Sequence, residues 1–495
     1  MTKKGKQEPK KRKAVASSSF ITSIRKDKEQ EKRKAKKTLL ITCACILIAG
    51  ALLAGWAFLS ASDYFCTHSA AARVKNHSVT PVMFDYFYRD AYSGFCQQYL
   101  DLVSVYLDTT KPLDEQWYDQ QNNVTWADYF VDLAESSIQR TYCLYDAAEA
   151  NGYTLTAADE KALSDTEANL DTQAKKKSTD RDGYILSYYG RGCTIDTYRE
   201  YIRIVRIADQ YEAQYKAKLS YTQDTIDTYY ESNRTSFDTV NYRIYSVAVK
   251  DDAGNVDLAA SEAKAEQIAA DSLNDEEKYL SLIEADAGPD SAYASGDYSR
   301  RDNYSYTYAP ENLASWLFDT SRQAGDTTSA ANGDNGWYVV YYLSLNTHDY
   351  DTVNLRVIEV ADYYKDAKNA LKSANALLAQ YTSGEQTEAA FAALADANGA
   401  ADGGSRQNVS LGQLDDAAEA WAFDAARQPG DTAAVAGTDS ASSYVLYFCG
   451  TGKNCRSWFV EEALRDSAAE DWVSSLIGSD RLREGGLGMK YVTTK

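Results

Sequence analysis

The sequence predicts an α+β protein behind a single membrane-spanning helix. Three observations carry this reading: an uncharged run at Thr38–Ser60, a long stretch of helical periodicity after it, and a block that occurs twice. Trp316–Thr327 (WLFDTSRQAGDT) returns as Trp421–Thr432 (WAFDAARQPGDT), identical at eight of twelve positions with an offset of 105. Asp238–Arg243 (DTVNYR) returns as Asp351–Arg356 (DTVNLR), identical at five of six with an offset of 113. Two matched blocks in the same order mean a duplicated domain of roughly a hundred residues.

The 495 residues leave room for three or so domains. The net charge of −20 is unevenly placed: residues 1–37 hold 15 Lys+Arg against 4 Asp+Glu, which leaves −31 on the rest. An acidic body argues against nucleic acid as a partner, because duplex binding needs clustered cations.

Residues 1–37 form a basic tail, read as a topology signal before a lipid-binding patch. Residues 38–60 follow as the membrane helix. Its 23 uncharged residues, at ~1.5 Å each, exceed a hydrocarbon core of about 30 Å. The basic flank places the N-terminus in the cytoplasm and residues 61–495 outside. The apolar run is longer than that of a cleaved signal peptide, and neither Cys43 nor Cys45 sits in a convincing lipobox.

Residues 61–77 read as a stalk, and 78–236 as a helical domain. Val82, Phe84, Tyr88, Tyr92, Phe95 and Tyr99 approximate a helical stripe, and Trp126–Asn151 gives a second amphipathic helix. Thr156 is placed to cap a third. A long helix runs to about Leu219, and Thr222–Asn233 leads into the first repeat.

Each repeat, 237–350 and 351–455, starts on a strand: Val240–Val249 and Val353–Val360 are rich in β-branched and aromatic residues. Helical patterns follow at Ser261–Asp271 and Glu276–Ala285, then at Tyr363–Tyr381 and Glu385–Asn398. Leu313, Trp316 and Leu317 share a helical face, as do Leu414, Ala418 and Trp421. Gly325 and Gly430 are expected where those helices stop. Strands at Trp337–Leu343 and Tyr444–Cys449 close the units. Trp316, Phe318, Trp421 and Phe423 read first as core. Arg456–Ile477 is a last amphipathic helix, and 478–495 is an unassigned tail.

This order of elements resembles the parvulin (PpiC-type) prolyl isomerase domain. The resemblance is best in the second unit, through Phe391–Ala395, Asp402–Gly404, Leu411–Gln413, Ala420–Phe423 and Pro429-Gly430. The segment before it resembles the helical chaperone domain of the SurA/PrsA family. There Thr222-Gln-Asp-Thr-Ile226 and Tyr229-Tyr230-Glu-Ser-Asn233 match the family's helix that leads into the parvulin strand. In that family a C-terminal helix returns to the helical domain, which residues 456–477 fit. The resemblance implies a membrane-anchored extracytoplasmic chaperone or foldase that binds unfolded, newly secreted polypeptides. It implies no cofactor.

The departures bear on activity. The family's two histidine positions fall on Arg243 and Tyr338 in the first unit and on Arg356 and Tyr444 in the second. Leu313, Phe318, Leu414 and Phe423 fall among the positions of the family's proline pocket. Two degenerate domains without isomerase activity are therefore expected. The alternatives are an active prolyl isomerase and a non-catalytic envelope scaffold. Six cysteines would lie outside the cell, where disulfides persist. Cys449–Cys455 and Cys143–Cys193 are the candidate pairs, with free thiols as the alternative. No metal-ligand spacing, phosphate loop or nucleophile elbow is found.

Overall fold

The computed structural model describes residues 36–37, 42, 44–361, 367–438, 441–479 and 481–494. Most of the basic tail, part of the apolar run and Cys43 lie outside the described residues. The apolar helix α1 (Ala44–Ala61) is long and apolar enough to cross a membrane, and none of its residues is buried. The remainder divides into two units, 1–215 with 469–495, and 216–468.

The first unit is helical. Thr80 caps α3 (Pro81–Gln98) through the Met83 amide, with Pro81 at the first helical position. α5 (Trp126–Ala150) and α6 (Ala157–Lys176) both open on capping boxes, Thr125 with Asp128 and Thr156 with Asp159. α7 (Arg181–Tyr189) and α8 (Ile195–Ala217) complete the set. Their apolar faces meet in one core that holds Phe84, Tyr86, Phe130, Ile138 and Ile185.

Two expectations change here. Residues 61–77 are not a stalk. They form α2 (Tyr64–His68), β1 (Ala72–Val74) and β2 (His77–Val79), and Cys66, Ala71, Ala72 and Val74 are buried in the helical core. Alternation on a short hairpin puts small residues inside, and Lys75, His77 and His68 made the stretch look solvated. The tail folds back as well. β13 (Arg483–Glu484) pairs antiparallel with β1, Ala72 opposite Glu484. Thr493 donates its amide to Asp85 Oδ1 at 2.6 Å and its hydroxyl to Oδ2 at 3.1 Å. Tyr88 donates to the Thr494 carbonyl at 3.1 Å, and Tyr491 stacks on Phe65. Burial raises the Asp85 carboxyl to about 7 against the opposing Thr493 bonds.

The second unit opens with α9 (Gln223–Ser232), which therefore leaves the helical domain expected to run to 236. Ile226 and Tyr230 pack on Val460, and Tyr230 donates to Asp238 at 2.7 Å. Two four-stranded antiparallel sheets follow. The first has the order β6-β5-β8-β7, from β5 (Thr239–Val247), β6 (Arg300–Ser305), β7 (Thr327–Ala331) and β8 (Trp337–Asn346). The second repeats it as β10-β9-β12-β11, from β9 (Asp351–Ala361), β10 (Ser405–Val409), β11 (Thr432–Ala436) and β12 (Ser442–Asn454). One face of the first sheet carries α10 (Leu258–Asp271) and α11 (Glu276–Ala287), and the other carries α12 (Glu311–Leu317). The second uses α13 (Ala367–Thr382), α14 (Glu388–Ala397) and α15 (Asp416–Ala422) in the same way.

The repeated sequence block forms one device twice. Arg322 lies over Trp316 at 5.0 Å and Arg427 over Trp421 at 4.8 Å. Each arginine also reaches the two aspartates of its turn, Asp319 with Asp326 and Asp424 with Asp431. Gly325 and Gly430 do not stop the helices, which end at Leu317 and Ala422. They sit in the turn into β7 and β11, where their amides bond the Tyr342 and Phe448 carbonyls. At φ +98 a Cβ on Gly325 would lie 2.8 Å from the Asn274 Cα, so only glycine fits.

α16 (Cys455–Ile477) closes the chain order. Val460 lies in the core of the second unit, and Trp472 and Val473 pack with Leu144 and Ala208 in the first. Trp472 stacks on Tyr215 at 4.1 Å.

Candidate functional site

The helical unit carries a groove at the end of α3. The Thr125–Asp128 capping box fixes the start of α5, with bonds of 2.9 and 3.2 Å between each side chain and the other backbone amide. That places Trp126, Tyr129 and Phe130 on its first turns. The hairpin of β3 (Trp117–Asp119) and β4 (Val124–Thr125) brings Tyr118 onto them. Tyr118 stacks on Tyr129 at 4.3 Å and meets Trp126 edge-on at 5.0 Å. Phe95 meets Trp126 at 5.2 Å. With Tyr99 and Tyr106, from the end of α3 and from α4 (Leu100–Tyr106), these rings line a cavity of 690 Å³ that also takes in Asp119. The neighbouring surface stays apolar: Trp117 is 51% exposed, Leu100 74% and Tyr106 64%. A second cavity of 690 Å³, lined by Tyr92, Cys96, Leu100, Val103, Leu107 and Tyr188, also opens by α4. Clustered exposed apolar surface of this kind marks a binding region.

The first sheet holds a cavity of 350 Å³ lined by Tyr242, Ile244, Ser246, Tyr304, Tyr308 and Tyr338, with Arg301 at its wall. Alternation along β5 explains the set: residues 242, 244 and 246 share one face. Ser246 lies directly opposite Tyr338 in the register. Arg243 points to the other face. There its guanidinium pairs with Glu276 at 2.6 Å and bonds the Gly296 carbonyl and Ser299 hydroxyl at 2.7 and 3.1 Å. Arg243 and Tyr338 are thus not brought together.

The second sheet repeats this arrangement. Arg356 pairs with Glu388 at 2.9 Å and bonds the Gly403 carbonyl, and the residue opposite Tyr444 is Glu359. A cavity of 430 Å³ there is lined by Glu359, Asp402, Arg406 and backbone around Gly404. Its lining is charged where that of the first is aromatic.

The four expected pocket residues belong to the cores beneath the sheets. Leu313 is 1% exposed, in the core beside Val240 and Tyr342, so it offers no surface to a peptide. Phe318 is half-buried against Tyr306. Leu414 and Phe423 pack partly buried on the second core. None of the four lines either cavity. The groove on the helical unit was not singled out from sequence, although Phe95 and Tyr99 stood in the predicted stripe. The polar run Asp119–Asn123 hid the hairpin that completes it.

Neither candidate pair is bridged: Cys193, Cys449 and Cys455 are free thiols, and Cys143 forms no disulfide with Cys193. Cys143, Cys193 and Cys455 are buried. Burial raises the Cys193 thiol and pushes Cys449 up to about 11, the latter with help from Glu388. Neither is a poised nucleophile.

The match to a family of known proteins falls on the first sheet. Residues 221–348 match the PPIC-type PPIASE domain, a span that takes in α9 and the whole of the first sheet with its helices. The chain therefore carries a parvulin domain there. Among solved structures, a match comes from work on the virulence factor PEB4 and the periplasmic protein Cj1289, SurA-like chaperones of Campylobacter jejuni. It has 12% identity and covers 39% of this chain and 71% of that one, with a TM-score of 0.17. A score of that size leaves the two without a common overall superposition. No curated protein sequence matches.

Proposed function

We propose that the chain is a membrane-anchored extracytoplasmic chaperone of the SurA/PrsA kind. Its helical unit binds unfolded, newly translocated polypeptides, and it carries two parvulin-like domains without isomerase activity. The observation that carries the reading is the aromatic groove of exposed Tyr99, Tyr106 and Tyr118 over the buried Trp126, in a chain that also carries a PPIC-type domain. The apolar helix Ala44–Ala61 supports the anchor, and the basic residues before it support an extracytoplasmic body. The identical strand order and the repeated arginine–tryptophan device support reading the second sheet as another parvulin-like domain.

Loss of catalysis is argued from the cavity lining. Rotation about a peptide bond must pass a barrier of ~18–20 kcal/mol. The first cavity offers tyrosines and Ser246, and the second offers Glu359 and Arg406. Neither is lined by histidine. A second reading, active isomerisation, is favoured by one observation: the first cavity is open and carries the hydroxyls of Ser246 and Tyr338. Refolding of a proline-limited client in the presence of the full chain separates the two. Higher yield at an unchanged slow-phase rate is expected. A faster slow phase supports isomerisation, and no change in either sinks the chaperone reading.

A further inference from the structure

We infer that the aromatic groove of the helical unit takes a lysine or arginine side chain of an extended polypeptide, held over the ring faces and neutralised by Asp119. The inference rests on the chaperone reading and adds the chemistry of what is recognised.

Rings alone would accept any apolar side chain. Tyr118 and Tyr129 stack at 4.3 Å, and Trp126 meets them edge-on at 5.0 and 5.5 Å. An array with faces at steep angles presents several π surfaces to one point. The face of an aromatic ring is the negative part of its quadrupole, and tryptophan and tyrosine are good cation acceptors. The aliphatic stem of a lysine or arginine adds apolar contact along the same faces.

Asp119 decides between a cation and a neutral group. It lies in the lining of the same cavity. Its Oδ1 accepts from the Gln121 and Asn122 amides at 2.9 and 3.1 Å, and its Oδ2 from the Asn122 side chain at 2.7 Å. These bonds hold its carboxyl below the usual range, the Asn122 side chain contributing most. The group therefore stays ionised. The lining contains no lysine or arginine, and among the described residues no cation pairs with Asp119. An ionised carboxylate beside the exposed rings of Tyr118, Tyr99 and Tyr106, with Trp126 buried beneath them, is electrostatically complementary to one class of side chain. The body's net charge of −31 outside residues 1–37 draws such segments in. The 690 Å³ volume exceeds one side chain, so flanking residues of the segment have room on the exposed Trp117 and Leu100.

The test is fluorescence anisotropy with the full chain in maltoside micelles. The probe is a labelled extended peptide with one central lysine, compared with the same peptide carrying arginine or norleucine there. The lysine and arginine peptides are expected to bind about tenfold more tightly than the norleucine peptide. Asp119→Asn keeps the oxygen that accepts from the turn amides. It should erase that preference, bringing the lysine and arginine peptides to the affinity that the variant shows for the norleucine peptide. Tyr118→Ala should weaken all three, with the near-ultraviolet circular dichroism of each variant confirming the fold.

Equal binding of lysine and norleucine peptides overturns the inference, as does an unaltered preference in Asp119→Asn. Choline that displaces the lysine peptide at lower concentration than free lysine reassigns the groove to a quaternary ammonium headgroup. Aggregation of a denatured client, followed in parallel, separates the two levels. Suppression without a lysine preference defeats the side-chain assignment alone. A lysine preference without suppression defeats the chaperone reading.

Discussion

Replacing Asp85 by asparagine should stabilise the helical unit above neutral pH and leave it unchanged in acid. Asp85 is fully buried on α3, and burial raises its carboxyl to about 7 against the opposing bonds from Thr493 and the charge of Arg89. An unfolded aspartate titrates near ~3.9. Below about pH 4 both states hold the proton, and the group has no effect on the balance. Between the two values the folded chain keeps a proton that the unfolded chain has lost, so stability falls as pH rises. Above pH 7 the whole penalty is in force, ~4 kcal/mol at ~1.4 kcal/mol per pH unit. Asparagine removes the charge and can still accept the Thr493 amide. The value of about 7 already nets the Thr493 bonds against burial, so the gain at pH 8 is the full penalty, ~4 kcal/mol, or ~8–16 °C for a unit of this size. Calorimetry of the full chain from pH 4.5 to 8.5, with hydrogen exchange of the tail peptide holding Thr493, reads it. Glu135, raised to about 7 by burial and by Glu484, leaves a residual slope in the variant. Parallel pH curves for the two proteins, or a variant less stable at pH 8, would refute the reasoning.

The remaining predictions concern single contacts. Arg243→Met removes a buried guanidinium that bonds Glu276, the Gly296 carbonyl and Ser299, which should cost about 1–3 kcal/mol in the first sheet domain; urea unfolding measures it. Arg356→Met should cost less, because Glu388 is half exposed and can be solvated. Gly190→Ala places a Cβ at φ +122, 2.9 Å from the Thr493 Cβ, and should release the tail, seen as faster proteolysis after residue 483. Trp117→Ser and Leu100→Ser, both exposed, should leave the melting temperature within about 1 °C and lower the yield of client refolding.

The central strands were legible because they are buried on both faces. β5, β8, β9 and β12 each hold a run rich in β-branched, aromatic and other apolar residues, so composition gave them away. The edge strands were not. β6 reads RRDNYS and β10 SRQNV, while β7 and β11 are built of threonine, serine and alanine. Nothing in such runs favours a strand except the partner they pair with. β7 and β11 were hidden further by the glycine before each, which resembles a helix stop. The site positions depend on register as well. Arg243 and Tyr338 sit on strands whose faces depend on register, and a shift of one residue exchanges faces. The register puts Ser246, not Arg243, beside Tyr338. The tail escaped because its anchors lie more than 400 residues away, with Thr493 bonded to Asp85.

What the two sheet domains share differs in kind from what separates them. Both keep an arginine on the first strand that bonds a glutamate at the start of a helix and a glycine carbonyl beyond it. Both keep an arginine stacked on tryptophan and tied to two aspartates. Each of these contacts closes a turn or fixes a helix on the sheet, and a change in any would be felt by the whole domain. The strand pair opposite has no such constraint, and there the copies part: Ser246 faces Tyr338 in one and Glu359 faces Tyr444 in the other. A reaction common to both would need the same groups at the same places on that face. The copies instead preserve a scaffold and vary the groups on that face.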